Sequence, residues 1–278
     1  MMERRLRWLV TGASSGLGAA MAAAAIARGD EVIVTARDVG RLERLAAKAP
    51  GRVRPVALDL SDRTGTRATG EKIARGGVDV LVNNAGYGLI GAFEEATDER
   101  LREAFEVNLF GGLELARALL PGMRERGWGR IVQMSSIIGV TSGLGGAGYA
   151  GPKAALEAVS DSIAAEVAPF GIHVTIVEPG AFRTDFGGRS LRLTDRLPAY
   201  EPIVGPPRDA FVAHHGMQRG DPERAARAVV DAVLAPRPPR RLPLGPDAFT
   251  VLRAHYLARL AELDALEPAA AVTDHATP

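Results

Sequence analysis

Apolar, β-favouring runs alternate along this chain with segments whose apolar positions recur at helical spacing. Leu6–Thr11, Glu31–Ala36, Val53–Leu58, Val78–Asn83, Arg130–Ser135 and His173–Glu178 read as strands. Leu17–Arg28, Arg41–Lys48, Thr97–Leu109, Gly112–Arg126, Tyr149–Phe170 and Pro222–Leu234 read as helices. Val32-Ile33-Val34 and Val78-Asp79-Val80-Leu81-Val82 are nearly unbroken apolar runs, as strands covered on both faces require. The β-α-β-α order predicts an α/β fold built on a doubly wound parallel sheet, with right-handed crossovers. Its ligand is expected beyond the carboxyl ends of the strands.

Two stretches break the pattern. Residues 61–77 hold Gly65, Gly70, Gly76 and Gly77 and little apolar periodicity, which predicts a shortened or poorly formed third helix. From Thr184 to Pro246 the chain turns proline-rich, and this irregular stretch reads as a substrate-covering loop at the ligand-bearing edge. Residues 1–278 read as one domain, with a cofactor half to about residue 110, a catalytic and substrate half over about 111–265, and a frayed tail at 266–278.

Composition narrows the function classes. Lys and Arg total 34 against 33 Asp and Glu, without a basic block, so the electrostatic footprint of a nucleic-acid binder is missing. The absence of cysteine excludes disulfides, thiolate metal ligands and cysteine nucleophiles, and agrees with a reducing, cytoplasmic location. Arg4, Arg5 and Arg7 precede an apolar run that stops at Thr11-Gly12, too short for a signal peptide. The Ala-rich stretch Ala19–Ala27 is too short to span a bilayer, so no membrane partner is expected. His214-His215 lack ligand spacing, and no metal is expected there; they read as exposed or substrate-loop residues. Arg237–Arg241 reads as a small basic turn, and the acidic run Glu94–Glu106 as the solvated face of a helix opened by Thr97 or Asp98.

The first strand runs into Gly12, Ser14, Ser15, Gly16, Leu17 and Gly18, directly before the Ala-rich helix. Glycines there permit a tight turn and close backbone approach to a pyrophosphate, and the helix N-terminus offers free N–H groups to the anion. At the tip of the second strand an acidic residue would hold the ribose hydroxyls of NAD. This chain has Ala36 followed by Arg37, whose guanidinium suits a 2′-phosphate, so NADP(H) is the expected cofactor. Tyr149 and Lys153 lie one helical turn apart on one face, where an ammonium favours the phenolate of a proton-donating tyrosine. Only one of Ser135 and Ser136 can face a cleft.

The glycine turn is followed by Asp59, Asn83-Asn84-Ala85-Gly86, Asn108, Ser135-Ser136, Tyr149-x-x-x-Lys153 and Pro179-Gly180-x-x-x-Thr184. In this order the landmarks resemble the short-chain dehydrogenase/reductase family in its compact, Rossmann-type form. The stretches Asn83–Leu89, Glu178–Phe186 and Arg241–Asp247 resemble its 17β-hydroxysteroid-dehydrogenase-like branch. The resemblance implies that Tyr149 is the acid/base and that Lys153 tunes it and holds the nicotinamide ribose. Ser136 orients the carbonyl, and Asn108, whose amide would interrupt its helix and hold a water, supports a water-mediated proton relay; from its place near the helix end it also reads as a C-cap. Asp59 with Leu60 would face the adenine and Asn84, Ala85 and Gly86 the adenosine half. Pro179, Gly180 and Thr184 would lie at the nicotinamide. Two features depart from the family pattern. Pro152 directly precedes Lys153, which points to a helix starting close to Tyr149. The Asp59–Asn83 interval is also short.

The expected activity is NADP(H)-dependent interconversion of a ketone or aldehyde and an alcohol, chiefly as a reductase. The small-molecule substrate is expected to be apolar, met by Leu191, Leu193, Leu197, Tyr200, Ile203, Val204, Phe211 and Met217. The alternatives are an epimerase or dehydratase that retains its cofactor, and a non-catalytic NADP-binding sensor. A homodimer or homotetramer pairing through Thr97–Arg126 and Tyr149–Phe170 is expected from the resemblance.

Overall fold

A computed structural model of the chain describes residues 5–270. The elements are β1 (Arg7–Thr11), α1 (Gly16–Ala27), β2 (Glu31–Ala36), α2 (Glu43–Lys48), β3 (Val53–Ala57), α3 (Arg63–Ala74), β4 (Val80–Asn83) and β5 (Gly88–Ile90). There follow α4 (Asp98–Phe105), α5 (Gly111–Arg126), β6 (Gly129–Met134), α6 (Ile138–Thr141), α7 (Ala147–Val167) and β7 (Ile172–Pro179). The last are β8 (Leu191–Leu193), α8 (Glu201–Ala213), α9 (Pro222–Leu234), β9 (Arg241–Leu244) and α10 (Pro246–Ala270).

Among the described residues, seven strands form one sheet in the order β3-β2-β1-β4-β6-β7-β9, all pairs parallel. The chain builds outward from β1 in one direction and then, from β4, in the other, so the order reverses between β1 and β4. In β1, Trp8 and Val10 join a core with α1 and α9, whereas Leu9 faces the opposite core with α3, α5 and α7. This is the period-two alternation of a strand covered on both sides. Asp30 fixes the start of β1, accepting from the Leu6 amide at 3.0 Å and from Trp8 Nε1 at 2.9 Å.

Every strand read from the sequence is present, and the parallel α/β architecture is as expected. The corrections lie where glycine and proline obscured the pattern. The doubtful third helix is fully formed as α3, opened by the Asp62 carboxylate accepting from the Gly65 amide at 3.0 Å. Its glycine has a packing reason: a Cβ on Gly70 would lie 3.2 Å from Ala118 Cβ and 3.3 Å from Leu115 Cδ2 on α5. The helix gives up propensity at Gly70 and gains close approach to its neighbour, while Thr66 and Ile73 are buried. The irregular 184–246 stretch holds β8, α8, α9 and β9. Pro202 lies in the first turn of α8, and Pro206 and Pro207 are carried inside it. β9 carries Pro243, which an edge strand tolerates because its outer side needs no N–H donor. Arg241 is thus no basic turn. It lies in β9 and bonds the Asp161 carboxylate at 2.6 Å. The expected frayed tail is also corrected: residues 266–270 continue α10, and residues 271–278 lie outside the described residues.

Replacing Gly70 by Val forces the α3–α5 contact apart. Overpacking of this kind costs about 1–3 kcal/mol, read as a lowered midpoint in thermal or urea unfolding.

Candidate active site

At the strand-order reversal the carboxyl ends of β1 and β4 are tied together. The Thr11 hydroxyl donates to the Val82 carbonyl at 3.3 Å and accepts from the Asn84 and Ala85 amides at 3.0 Å each. Asn84 returns its side-chain amide to the Thr11 carbonyl at 2.9 Å and the Gly12 carbonyl at 3.3 Å. Gly12 has φ +65°, and a Cβ there would lie 2.8 Å from Ala85 Cα, so only glycine lets the two loops meet. Gly18 lies against the Asn84 side chain and the Gly12 carbonyl with no room for a Cβ.

The first turn of α1 is left ready for an anion. Its N-cap, Ser15, makes no side-chain capping bond, and no acidic residue stands in the first turn. The N–H groups and positive end of the helix dipole therefore face the cleft without an internal counter-charge.

The cleft has a volume of about 630 Å³ and extends from this turn to Ser136, Tyr149 and Thr184. Every residue the sequence assigned to cofactor or catalysis lines it except Gly18 and Asn108. A nicotinamide dinucleotide fits the donor set: glycine backbone and helix N-terminus at the middle, Arg37, Asp59 and Leu60 at one end, Tyr149 and Lys153 at the other. Arg37 makes no hydrogen bond or ion pair within the described residues, so its guanidinium is available. Asp59 accepts from the Ser61 amide at 3.0 Å and the Ser61 hydroxyl at 2.7 Å. Burial opposes its charge, but these bonds and the nearby Arg37 and Arg192 hold its carboxyl below the usual range.

Tyr149 and Lys153 come from α7, which begins at Ala147, close to Tyr149 as Pro152 predicted. The opening turn is closed by the Tyr149 and Ala150 amides donating to Gly146. Pro152 forgoes the bond to the Gly148 carbonyl, and the helix continues through it. Lys153 is buried, donates to the Met134 carbonyl at 2.6 Å and lies 5.7 Å from the centroid of the Tyr149 ring. Burial pushes its ammonium down to about 8, against the opposing charge of Glu157. Burial likewise pushes the Tyr149 phenol above its ordinary value, partly offset by the nearby Ser136 hydroxyl. The Ser136 hydroxyl accepts from the Ile138 amide at 3.3 Å, whereas the buried Ser135 hydroxyl has no partner.

Asn108 is not a helix cap. It lies in a π-helical turn, Glu106–Phe110, through which α4 runs on into α5. Its side chain donates to the Ala104 carbonyl at 2.9 Å and the Tyr87 carbonyl at 3.1 Å, and accepts from the Tyr87 amide at 3.0 Å. It stands close to Gly86 on the side where Lys153 also lies: a Cβ on Gly86 would come 2.5 Å from Asn108 Oδ1 and 3.5 Å from Lys153 Nζ.

The substrate side is where the sequence reading fares worst. Of the apolar residues expected to line it, Phe211 does. Leu193, Leu197, Ile203 and Met217 are exposed, and Tyr200 donates to the Glu94 carboxylate at 2.6 Å. The apolar wall is instead supplied by Ile90, Ile137, Ile138, Phe182 and Phe186. The Phe186 ring packs 5.3 Å from that of Tyr149. Phe186 stands two positions after Thr184, in a stretch the sequence had already singled out. Ile90 gave no comparable signal, because it arrives through the small β5–β8 sheet.

The acidic run Glu94–Glu106 also needs correction. Thr97 does cap α4, but Glu95 is buried. It accepts from the Ala92 and Leu197 amides, the Thr194 hydroxyl and Arg208 of α8 at 2.8 to 3.1 Å. Burial would raise its pKa, yet these donors hold it at about 2. His214 lines the cleft, and His215 lies 4.0 Å from Asp185. Among the described residues no three His, Asp or Glu side chains gather as metal ligands, and no helix is long and apolar enough to cross a membrane.

Comparison with known proteins agrees with this geometry. The short chain dehydrogenase family model matches residues 7–192. A short-chain dehydrogenase from Streptomyces avermitilis, known from its crystal structure, is 46% identical, with a TM-score of 0.91 over 99% of this chain and 100% of that one. Human 17-beta-hydroxysteroid dehydrogenase type 1 is 32% identical over 84% of this chain and 75% of its own. A metagenomic short-chain oxidoreductase, crystallised in complex with NADP, is 35% identical with a TM-score of 0.60, covering 64% of this chain and 83% of that one. With its parallel sheet, glycine turn and Tyr149–Lys153 pair, the chain belongs to the short-chain dehydrogenase/reductase family, whose oxidoreductases work with a nicotinamide cofactor.

Proposed function

We propose that this protein is an NADP(H)-dependent reductase that interconverts a ketone or aldehyde and an alcohol on an apolar substrate of small to medium size. The observation that carries the reading is Ser136 and Tyr149 lining one cleft beside a buried lysine, at the far end from a glycine turn with an uncapped helix N-terminus. A bound nicotinamide supplies or accepts the hydride. The chain's own residues manage the charge that results. The Ser136 hydroxyl donates to the substrate carbonyl oxygen and stabilises the developing alkoxide. The Tyr149 phenol gives that oxygen its proton in reduction and takes it back in oxidation. Lys153 holds positive charge beside the phenolate, lowering the cost of the proton's departure, and Asn108 positions the Tyr87 segment behind it.

The NADP preference is supported by the unpaired Arg37 at the tip of β2, where no acidic side chain stands in its place, and by the NADP complex of the metagenomic relative. The apolar substrate is supported by the Ile and Phe wall opposite Tyr149, and by similarity to a hydroxysteroid dehydrogenase.

Fluorescence titration with NADPH and NADH is expected to give tighter NADPH binding. Arg37→Ala should weaken NADPH by about 10- to 100-fold, since a hydrogen bond to a charged group contributes roughly 1.5–3 kcal/mol, and leave NADH nearly unchanged. Equal affinity in the parent protein would reject Arg37 as the selector.

Tyr149→Phe is expected to lower carbonyl reduction by ~10²–10⁴-fold, the usual contribution of a positioned acid, while NADPH binding is retained. Unchanged turnover would reject the assignment of the proton donor.

Lys153 offers a test without substrate. Its folded pKa, about 8, lies below its ordinary 10.5, so between these values the unfolded chain binds more protons. Stability from this group is therefore present above pH 10.5 and is lost as pH falls through 8. Urea unfolding from pH 7.5 to 10.5 should show a rise that Lys153→Met lacks, with a difference on the order of 2–3 kcal/mol.

A further inference from the structure

The C-terminal helix α10 leaves the body of the protein after its first turns. Asp247 accepts from the Ala181 amide at 2.7 Å, and Ala248 and Leu252 are buried. From Arg253 to Ala269 no residue is buried, yet the chain stays helical to Ala270. Tyr256, Leu257, Leu260 and Leu263 are 51%, 62%, 53% and 66% exposed. Side chains three and four apart share a helix face, so these four form one apolar stripe. An undocked helical arm of this length is marginal in water, and a contiguous exposed leucine stripe marks an interaction surface.

The charges along the helix identify what covers it. Arg253 and Arg259 lie in the earlier part of the arm, and Glu262, Asp264 and Glu267 in the later part. Arg259 pairs with Glu262 at 2.6 Å. Arg253 and Glu267, which continue the stripe at its two ends, make no ion pair among the described residues. This pattern is complementary to itself when reversed. About a two-fold axis at Leu260, an antiparallel copy sets Leu260 against Leu260, Leu257 against Leu263, and Arg253 against Glu267 at both ends. A parallel copy would set like charges together. With Asp247, the helix has more acidic than basic residues, a poor match for an anionic lipid surface.

We propose that α10 is a self-association element that pairs antiparallel with α10 of a second copy of this chain. The stripe is carried on α10, a different element from the Thr97–Arg126 and Tyr149–Phe170 helices from which an oligomer was expected.

Sedimentation velocity and light scattering of the full chain at micromolar concentration test it. Leu260→Asp, whose carboxylate meets its own copy at the axis, should halve the particle mass, whether dimer to monomer or tetramer to dimer. Its thermal midpoint and NADPH titration should stay as in the parent. Arg253→Glu should weaken association by about tenfold through like-charge contact at both ends, and adding Glu267→Arg should restore it. A monomeric parent protein, a Leu260→Asp variant of unchanged mass, or a double variant no stronger than Arg253→Glu would each overturn the assignment.

Discussion

The site depends on one knot of hydrogen bonds between the ends of β1 and β4. Thr11 spends its hydroxyl on three backbone groups of the neighbouring strand and loop, and Asn84 closes the loop back onto Thr11 and Gly12. In a parallel sheet whose order reverses here, the two following loops diverge to opposite faces and leave a crevice between them. The knot sets how wide that crevice opens. Gly12 and Gly18 lack side chains because the knot brings Ala85 and Asn84 into the space a Cβ would need. The direction of α1, and with it the anion-facing N–H groups, follows from the same contact.

The end of the cleft at Tyr149 and Lys153 is organised by burial instead. Lys153 has left water for a position under the Tyr149 ring, with the Met134 carbonyl as its fixed acceptor. Desolvation moves the lysine down and the tyrosine up, each toward its neutral form, in the protein without ligand. Tyr149 would be drawn part of the way back toward its charged form by an oxidised, cationic nicotinamide held in the cleft. The substrate side is fastened by another buried charge. Glu95 draws donors from Ala92, Thr194, Leu197 and Arg208, so the segment after β8 and helix α8 are held to the loop before α4. Removing one partner of such a pair would leave a buried charge uncompensated.

Much of this was legible in the chain. Buried parallel strands carry unbroken apolar runs, and a glycine turn between strand and helix has few other uses. Tyr149 and Lys153 one turn apart on a helix must share a face. The misreadings share a physical origin. Gly70 was judged by helix propensity, whereas its place is decided by how closely α3 approaches α5. The prolines of 198–246 suggested irregular chain, yet α8 and β9 accommodate them in a first turn, inside a helix and at a sheet edge. Glu95 looked like one more solvated acid in an acidic run, and its partner Arg208 is far along the chain.

By itself, then, the sequence determined the alternation of strands and helices, the glycine turn between β1 and α1, and the placing of Tyr149 and Lys153 on one helix face. Each is a local pattern, set by the period of one element or the backbone freedom of one residue. Only the tertiary structure decided that Asn108 buttresses Tyr87 across a π-helical turn, that Ile90, Phe182 and Phe186 form the apolar wall, and that Glu95 is buried. Those facts depend on contacts between residues distant in the chain. Burial and hydrogen-bond partners are properties of the packed surface, and no window along the sequence contains them.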